Sequence, residues 1–181
     1  YYSVYLADHN VKTEITPTER SAYFRFTFPE SEESYIVVDA FDNGSFVQID
    51  EENGTVTGYT TKNSGGVPDN FRNYFVMKFD KPFASAEVWS GDKIIKGKRE
   101  VEDNHVGAVW GFNTYKGEKI GVKVSSSFIS EEQAWLNLEE LGSRNFNEVK
   151  ESARNAWNDV MNRVRVEGGT DEPVSYTHLT L

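Results

Sequence analysis

Few residues in this chain could carry out chemistry, and their spacing gathers almost none of them. There are three histidines, His9, His105 and His178, and no cysteine. Zinc hydrolases, serine-nucleophile enzymes, phosphate-binding loops and dinucleotide folds are each marked by short motifs whose spacing serves the chemistry. None of those motifs occurs. Asp39 and Asp42 flank Phe41 beside Asn43-Gly44 and offer two neighbouring carboxylates for acid–base work. A solvated turn that uses Asp and Asn side chains accounts for them more simply. Glu30, Glu32 and Glu33 read as an exposed acidic loop. Glu102-Asp103-Asn104-His105 reads as a polar loop between two strands. There His105 could touch a ligand with acidic support, but a solvent-facing turn histidine is the default.

The aromatic residues give the other candidate site. The chain of 181 residues is 14% aromatic, with 12 Phe, 9 Tyr and 4 Trp. Such rings pack well on a pleated sheet, and their faces also stack on sugars. Trp89 and Trp110 fall on expected strands and are the substrate-binding candidates, with a core role as the competing reading. Trp135 and Trp157 fall on expected helices and read as core or interdomain anchors. The stretch Lys62–Arg72, with Gly65-Gly66 and Pro68-Asp69-Asn70, is the longest loop of the strand region. Long loops on a rigid scaffold often carry function, although a plain connection at the end of a sandwich is the bland alternative.

The elements that must position these residues change type late in the chain. Short strands with turn signals are expected at Tyr1–Ala7, Val11–Thr16, Ser21–Phe28, Ser34–Phe41, Ser45–Asp50, Gly54–Thr61, Tyr74–Phe79, Ala84–Trp89, Lys93–Val101, Gly107–Phe112 and Lys119–Phe128. Asn43-Gly44 and Asn53-Gly54 are hairpin signals, because both residue types tolerate positive φ. The strand spacing predicts a mainly β fold, an antiparallel sandwich, with no internal repeat. Two helices are expected to follow. Ser130 with Gln133 has the spacing of a capping box, and Gly142 suits the exit. Asn145 with Glu148 repeats the cap before a helix running to about Val164. Along that helix Phe146, Val149, Ala153, Ala156, Trp157, Val160 and Val164 form an apolar stripe. A helix with such a stripe must pack on the sandwich or on a neighbour.

Bulk properties exclude some classes. A net charge of −10 argues against a nucleic-acid partner, which requires a basic stripe. No apolar run approaches the roughly 18 residues that would span a bilayer. The lack of cysteine fits a secreted or periplasmic bacterial protein. The start at Tyr1, without Met or leader, leads us to expect either a removed leader or further chain upstream. Pro173–Leu181 has no periodic role and resembles a translated adapter read-through, so this tail is expected to be non-native.

Several stretches together resemble glycoside hydrolase family 92, the exo-acting α-mannosidases. They are Tyr1-Tyr-Ser-Val-Tyr-Leu6, Val11–Arg20, the aromatic strand Tyr23–Pro29, Asn73–Phe83, Ser127–Leu138, Ala156-Trp157 and Gly168–Glu172. The resemblance runs from Tyr1 to Glu172. It implies an N-terminal β-sandwich over 1–128 with its early part missing, linker helices over 129–172, and a missing C-terminal (α/α)6 barrel. It further implies calcium-assisted, inverting hydrolysis of terminal α-mannosides such as those of N-glycans or mannans. In the family the catalytic carboxylates and calcium ligands belong to the barrel, so no catalytic or metal residue is carried onto this chain. The expected role is a domain that shapes the substrate cleft and is inactive alone. The alternatives are a stand-alone carbohydrate-binding module and a purely structural sandwich.

Overall fold

A computed structural model describes residues 1–163 of the chain. The expected helix end at Val164, the link Gly168–Glu172, the tail Pro173–Leu181 and His178 lie outside the described residues. The first strands are β1 (Tyr2–Leu6), β2 (Val11–Pro17), β3 (Ser21–Phe28) and β4 (Ser31–Asp39). They are followed by β5 (Ser45–Asp50), β6 (Thr55–Thr60), β7 (Asn73–Phe79) and β8 (Ser85–Ser90). The last four are β9 (Lys93–Ile95), β10 (Glu100–Asp103), β11 (Val106–Thr114) and β12 (Glu118–Ser127). Helices α1 (Glu131–Leu138) and α2 (Phe146–Met161) come after them. The strands form an eight-stranded sheet, β1-β2-β3-β12-β7-β6-β5-β10, and a four-stranded sheet, β4-β11-β8-β9. All pairings are antiparallel.

The mainly β class and the two terminal helices match the expectation, and two connections differ from it. Asn43 and Gly44 do have positive φ, 80° and 104°, but they close no hairpin. The strand before them pairs with β11, and the strand after them pairs with β6 and β10. The turn therefore carries the chain from one sheet to the other. The expected strand Lys93–Val101 breaks in two at Gly97, where φ is +75°. Its first half stays on the small sheet and its second half crosses to edge the large one. Asn53-Gly54 does close a hairpin, with Asp50 opposite Thr55.

Alternation along the strands sends one set of side chains between the sheets. Ile36, Val88, Ala108, Trp110 and Phe112 from the small sheet meet Val47, Val56, Phe79, Ile120 and Val122 from the large one. Trp110 is fully enclosed there, with its ring centroid 4.9 Å from that of Phe79.

A second core lies on the outer face of the large sheet. Tyr23 and Val76 point outward and are covered by Ala134, Leu138, Leu141, Phe146 and Val149. Polar side chains lock this cover on. The Ser21 hydroxyl donates to the Asn137 carbonyl and the Ser125 hydroxyl to the Ala134 carbonyl, both at 2.6 Å. Asn137 Nδ2 donates to the Ser126 carbonyl at 2.8 Å. Ser130 caps α1 by accepting from the Gln133 amide, but the Gln133 side chain turns to Asn137 and does not reach back. The Asn145–Glu148 capping box of α2 is complete.

Candidate functional site

The residues that could act on a ligand fall on the two outer faces of the sandwich. On the large sheet, beyond the edge of the helical cover, Phe46, Tyr59 and Tyr74 form a ladder across β5, β6 and β7. Adjacent ring centroids are 5.8 and 6.0 Å apart. The Arg72 guanidinium lies 4.5 Å over the Tyr59 ring. The Tyr59 hydroxyl donates to Glu102. Burial, and then the Glu102 carboxylate, push the Tyr59 phenol above its ordinary value. Gly44, Thr61 and Asp103 complete a cavity of about 340 Å³ here. Arg72 ends the loop that the sequence singled out, and Phe71 beside it packs on Phe128 at the entry to α1, ring centroids 5.6 Å apart. Sequence reasoning missed Tyr59 and Arg72 as partners. It also took Glu102 for a loop residue, whereas β10 places it opposite Phe46 on β5.

The same face carries an open groove of about 610 Å³ along α2. Pro17, Thr18, Glu19, Arg20, Glu140 and Arg144 line one side, and Val149, Ala153, Ala156 and Trp157 line the helix side. The floor is braced by Glu140, which accepts from the Thr18 hydroxyl at 2.7 Å and pairs with Arg20. Of the apolar stripe on α2, only Phe146 and Val149 are buried. Trp157 remains 65% exposed and Val160 51%. The stripe is thus half used by the sandwich, while its distal half stands free among the described residues.

Beneath the start of α2, Glu14 is buried and receives both Arg25 Nε, at 2.8 Å, and Nη2, at 3.0 Å. Arg25 also stacks 4.0 Å over Phe146. The Arg25 hydrogen bonds, opposed by burial and aided by Tyr1 and Lys12, lower the Glu14 carboxyl to about 2. A fork-shaped pair of this kind positions the helix and is fully satisfied by its own partners.

The other sequence candidates separate. Trp110 is corrected: it sits in the core with no exposed surface and cannot stack a sugar. Its inward side follows from register, since it lies opposite Ile36 and Ala86. Trp89 is half-buried on the outer face of the small sheet, its ring edge-on to His105 at 5.2 Å. His105 Nε2 lies 2.8 Å from Asp39 Oδ1, and Asp42 pairs instead with Lys62 at 2.6 Å. Asp39 and Asp42 therefore have separate partners and form no dyad. Between them Phe41 holds φ +64°, a strained value for a bulky residue. His9, Glu30, Glu32 and Glu33 are exposed. Among the described residues no three or more His, Cys, Asp or Glu side chains gather into a group that could hold a metal ion. No described helix is long and apolar enough to cross a membrane.

These features define an antiparallel β-sandwich domain that leads into two helices, the second with an uncovered apolar side among the described residues. Residues 1–127 match the Glycosyl hydrolase family 92 N-terminal domain, and the chain belongs to that family. Its structure is similar to that of a family GH92 inverting mannosidase from Bacteroides thetaiotaomicron, with 39% identity and a TM-score of 0.89 over 94% of this chain and 23% of that one. It is also similar to a family GH92 α-mannosidase from the same organism, with 28% identity and a TM-score of 0.86 over 93% of this chain and 24% of that one. The chain thus spans about a quarter of the length of these solved relatives. No curated protein matches it.

Proposed function

We propose that this domain forms one wall of the substrate cleft in a calcium-dependent, inverting exo-α-mannosidase of bacterial periplasmic or secreted origin. The substrates would be terminal α-mannosides, such as those of N-glycans or mannans. The observation that carries the reading is the superposition of 94% of the chain on a quarter of an inverting mannosidase at 39% identity. Inversion needs one carboxylic acid to protonate the leaving oxygen and a second carboxylate to activate water, about 6.5–9.5 Å apart. Asp39 and Asp42 are each committed to a cation or a histidine, and Glu14 is sealed by Arg25. As the family resemblance implies, the acid, the base and the calcium ligands are assigned to a helical domain following α2. Calcium when bound would supply Lewis-acid polarisation at the sugar. This chain's part is to hold that domain through the distal half of α2, and to present the Tyr59–Arg72–Glu102 surface beside it.

The test compares the chain alone with a chimera in which it replaces the corresponding domain of the Bacteroides inverting mannosidase. The chain alone should release no mannose from an α-mannoside with calcium present, and the chimera should release it. Robust turnover by the 181-residue chain alone would refute the proposal. So would a folded chimera that stays inactive while the parent enzyme works.

A further inference from the structure

No described helix lies over the small sheet's outer face, and its three rows of side chains form an ordered surface. Register sets the first row as Asp39, Gly107, Trp89 and Ile94, across β4, β11, β8 and β9. The second row is Val37, Val109 and Glu87, and the third is Tyr35, Gly111 and Ser85. Two of these positions are glycines, and each lies under an aromatic ring. Indole atoms Cζ2 and Cε2 of Trp89 occupy the space that a Cβ on Gly107 would take. At Gly111 the same space is met first by Ser85 Oγ, with Tyr35 Cε1 at 3.2 Å and Cδ1 at 3.5 Å beside it. Both rings therefore lean inward over β11. The two glycines are four residues apart on that strand, which separates the rings by about 13 Å at the usual rise per residue. Tyr35 is 53% exposed, with Val37 exposed beside it, and Ile94 is exposed next to Trp89.

Glu87 stands between the rings. Its Oε2 is enclosed and has no hydrogen-bond partner among the described residues. A carboxylate oxygen without a donor is costly to cover with an apolar partner, whereas hydroxyl groups can satisfy it. Glu87 as a whole is only half-buried, so its carboxylate borders the surface. Aromatic platforms flanking a hydrogen-bond acceptor suit a ligand with apolar CH faces and many hydroxyls. The net charge of −10 disfavours an anionic one. We propose that this face is a second saccharide-binding surface, which takes a neutral hexopyranose oligosaccharide along β11 with one sugar unit on Trp89 and another on Tyr35. It lies on the side of the sandwich opposite α1 and α2, so it is separate from the cleft wall proposed above. It rests on that reading only for the choice of an α-mannoside as probe.

Calorimetric titration of the full chain with mannose, α-linked mannobiose and α-linked mannotetraose tests the proposal. The tetraose should bind about tenfold more tightly than mannose, because only an oligosaccharide spans both rings. Trp89→Ala and Tyr35→Ala should each weaken tetraose binding about tenfold, and Trp89→Phe should retain most of it. Tyr35 is exposed enough for Tyr35→Ala to remain folded, which keeps the test decisive if Trp89→Ala is unstable. No saccharide binding, equal affinity for mannose and tetraose, or undiminished binding by Tyr35→Ala would each overturn the proposal. Loss with Tyr59→Ala alone would also overturn it and move the site to the helix-bearing face. The chimera assay is independent: an active chimera with a non-binding small sheet sinks only this inference.

Discussion

The two outer faces of the sandwich solve the same problem in opposite ways. The large sheet points Tyr23 and Val76 outward and covers them with a separate helical layer, held by side-chain hydrogen bonds from Ser21, Ser125 and Asn137. The small sheet covers its own backbone. Gly107 makes room for the Trp89 ring, and Gly111 for the Ser85 hydroxyl with the Tyr35 ring beside it. A borrowed layer leaves a helix whose far end is free to meet something else. A self-covered face leaves aromatic rings in partial contact with water. The first arrangement suits attachment to a further domain, and the second suits contact with a small, flat ligand.

The sharpest way to break this comparison is to truncate tryptophans on either side of the small sheet. Trp110→Ala should cost about 3–5 kcal/mol, because it empties a sealed site between the sheets. Trp89→Ala should cost distinctly less, since its space opens to solvent. Urea denaturation measures both. Equal losses would mean that the outer face is as closely packed as the core. Trp110 Nε1 has no hydrogen-bond partner among the described residues, so Trp110→Phe should recover much of the loss.

On the helix-bearing side the corresponding test is Arg25→Ala. It strips Glu14 of its bidentate partner and Phe146 of its stacked guanidinium. Breaking a buried ion pair costs roughly 3–5 kcal/mol. Here Tyr1 and Lys12 still reach Glu14, so about 2 kcal/mol is expected by chemical denaturation. The same pair makes acid stability directional. The Glu14 carboxyl is held at about 2 against an ordinary 4.5, so the folded state binds this proton more weakly than the unfolded state does. Its contribution is complete above about pH 4.5 and is lost as pH falls toward about 2. Stability followed across that window should fall less steeply in Glu14→Gln than in the parent chain. Parallel slopes would remove Glu14 from the account.

Much of the architecture was legible because alternation and helix caps are local signals. Phe24, Phe26 and Phe28 do line one side of β3, and Asn145 with Glu148 does start α2. What was not legible depended on which sheet a strand joins. The turn at Asn43-Gly44 has the right residues for a hairpin, but β4 pairs with β11 in the other sheet and not with β5. Trp110 and Trp89 both look like strand tryptophans, and only register decides that one faces Phe79 and the other faces outward. Tyr35 escaped notice for the same reason, since its partner glycine lies 76 residues further on. The Tyr59–Arg72–Glu102 surface draws on β6, a loop and β10, and no local pattern joins those three.

Smaller effects are expected along α2, and they fall with distance from the sandwich. Asn145→Ala removes the cap that accepts from the Asn147 and Glu148 amides and should cost about 1 kcal/mol. Trp157→Ser should change the stability of this chain by less than about 0.5 kcal/mol, because the ring is 65% exposed and touches little. In the chimera with a helical catalytic domain the same substitution should cost more, since a docked partner would bury that ring together with Val160. Thermal or urea unfolding of the two proteins, each with and without Trp157→Ser, gives the difference directly. An equal and negligible effect in both would mean that the free half of the stripe is not where the next domain attaches. The large sheet's borrowed layer would then end at Val149, and the contrast between the two faces would reduce to one covered face and one bare face.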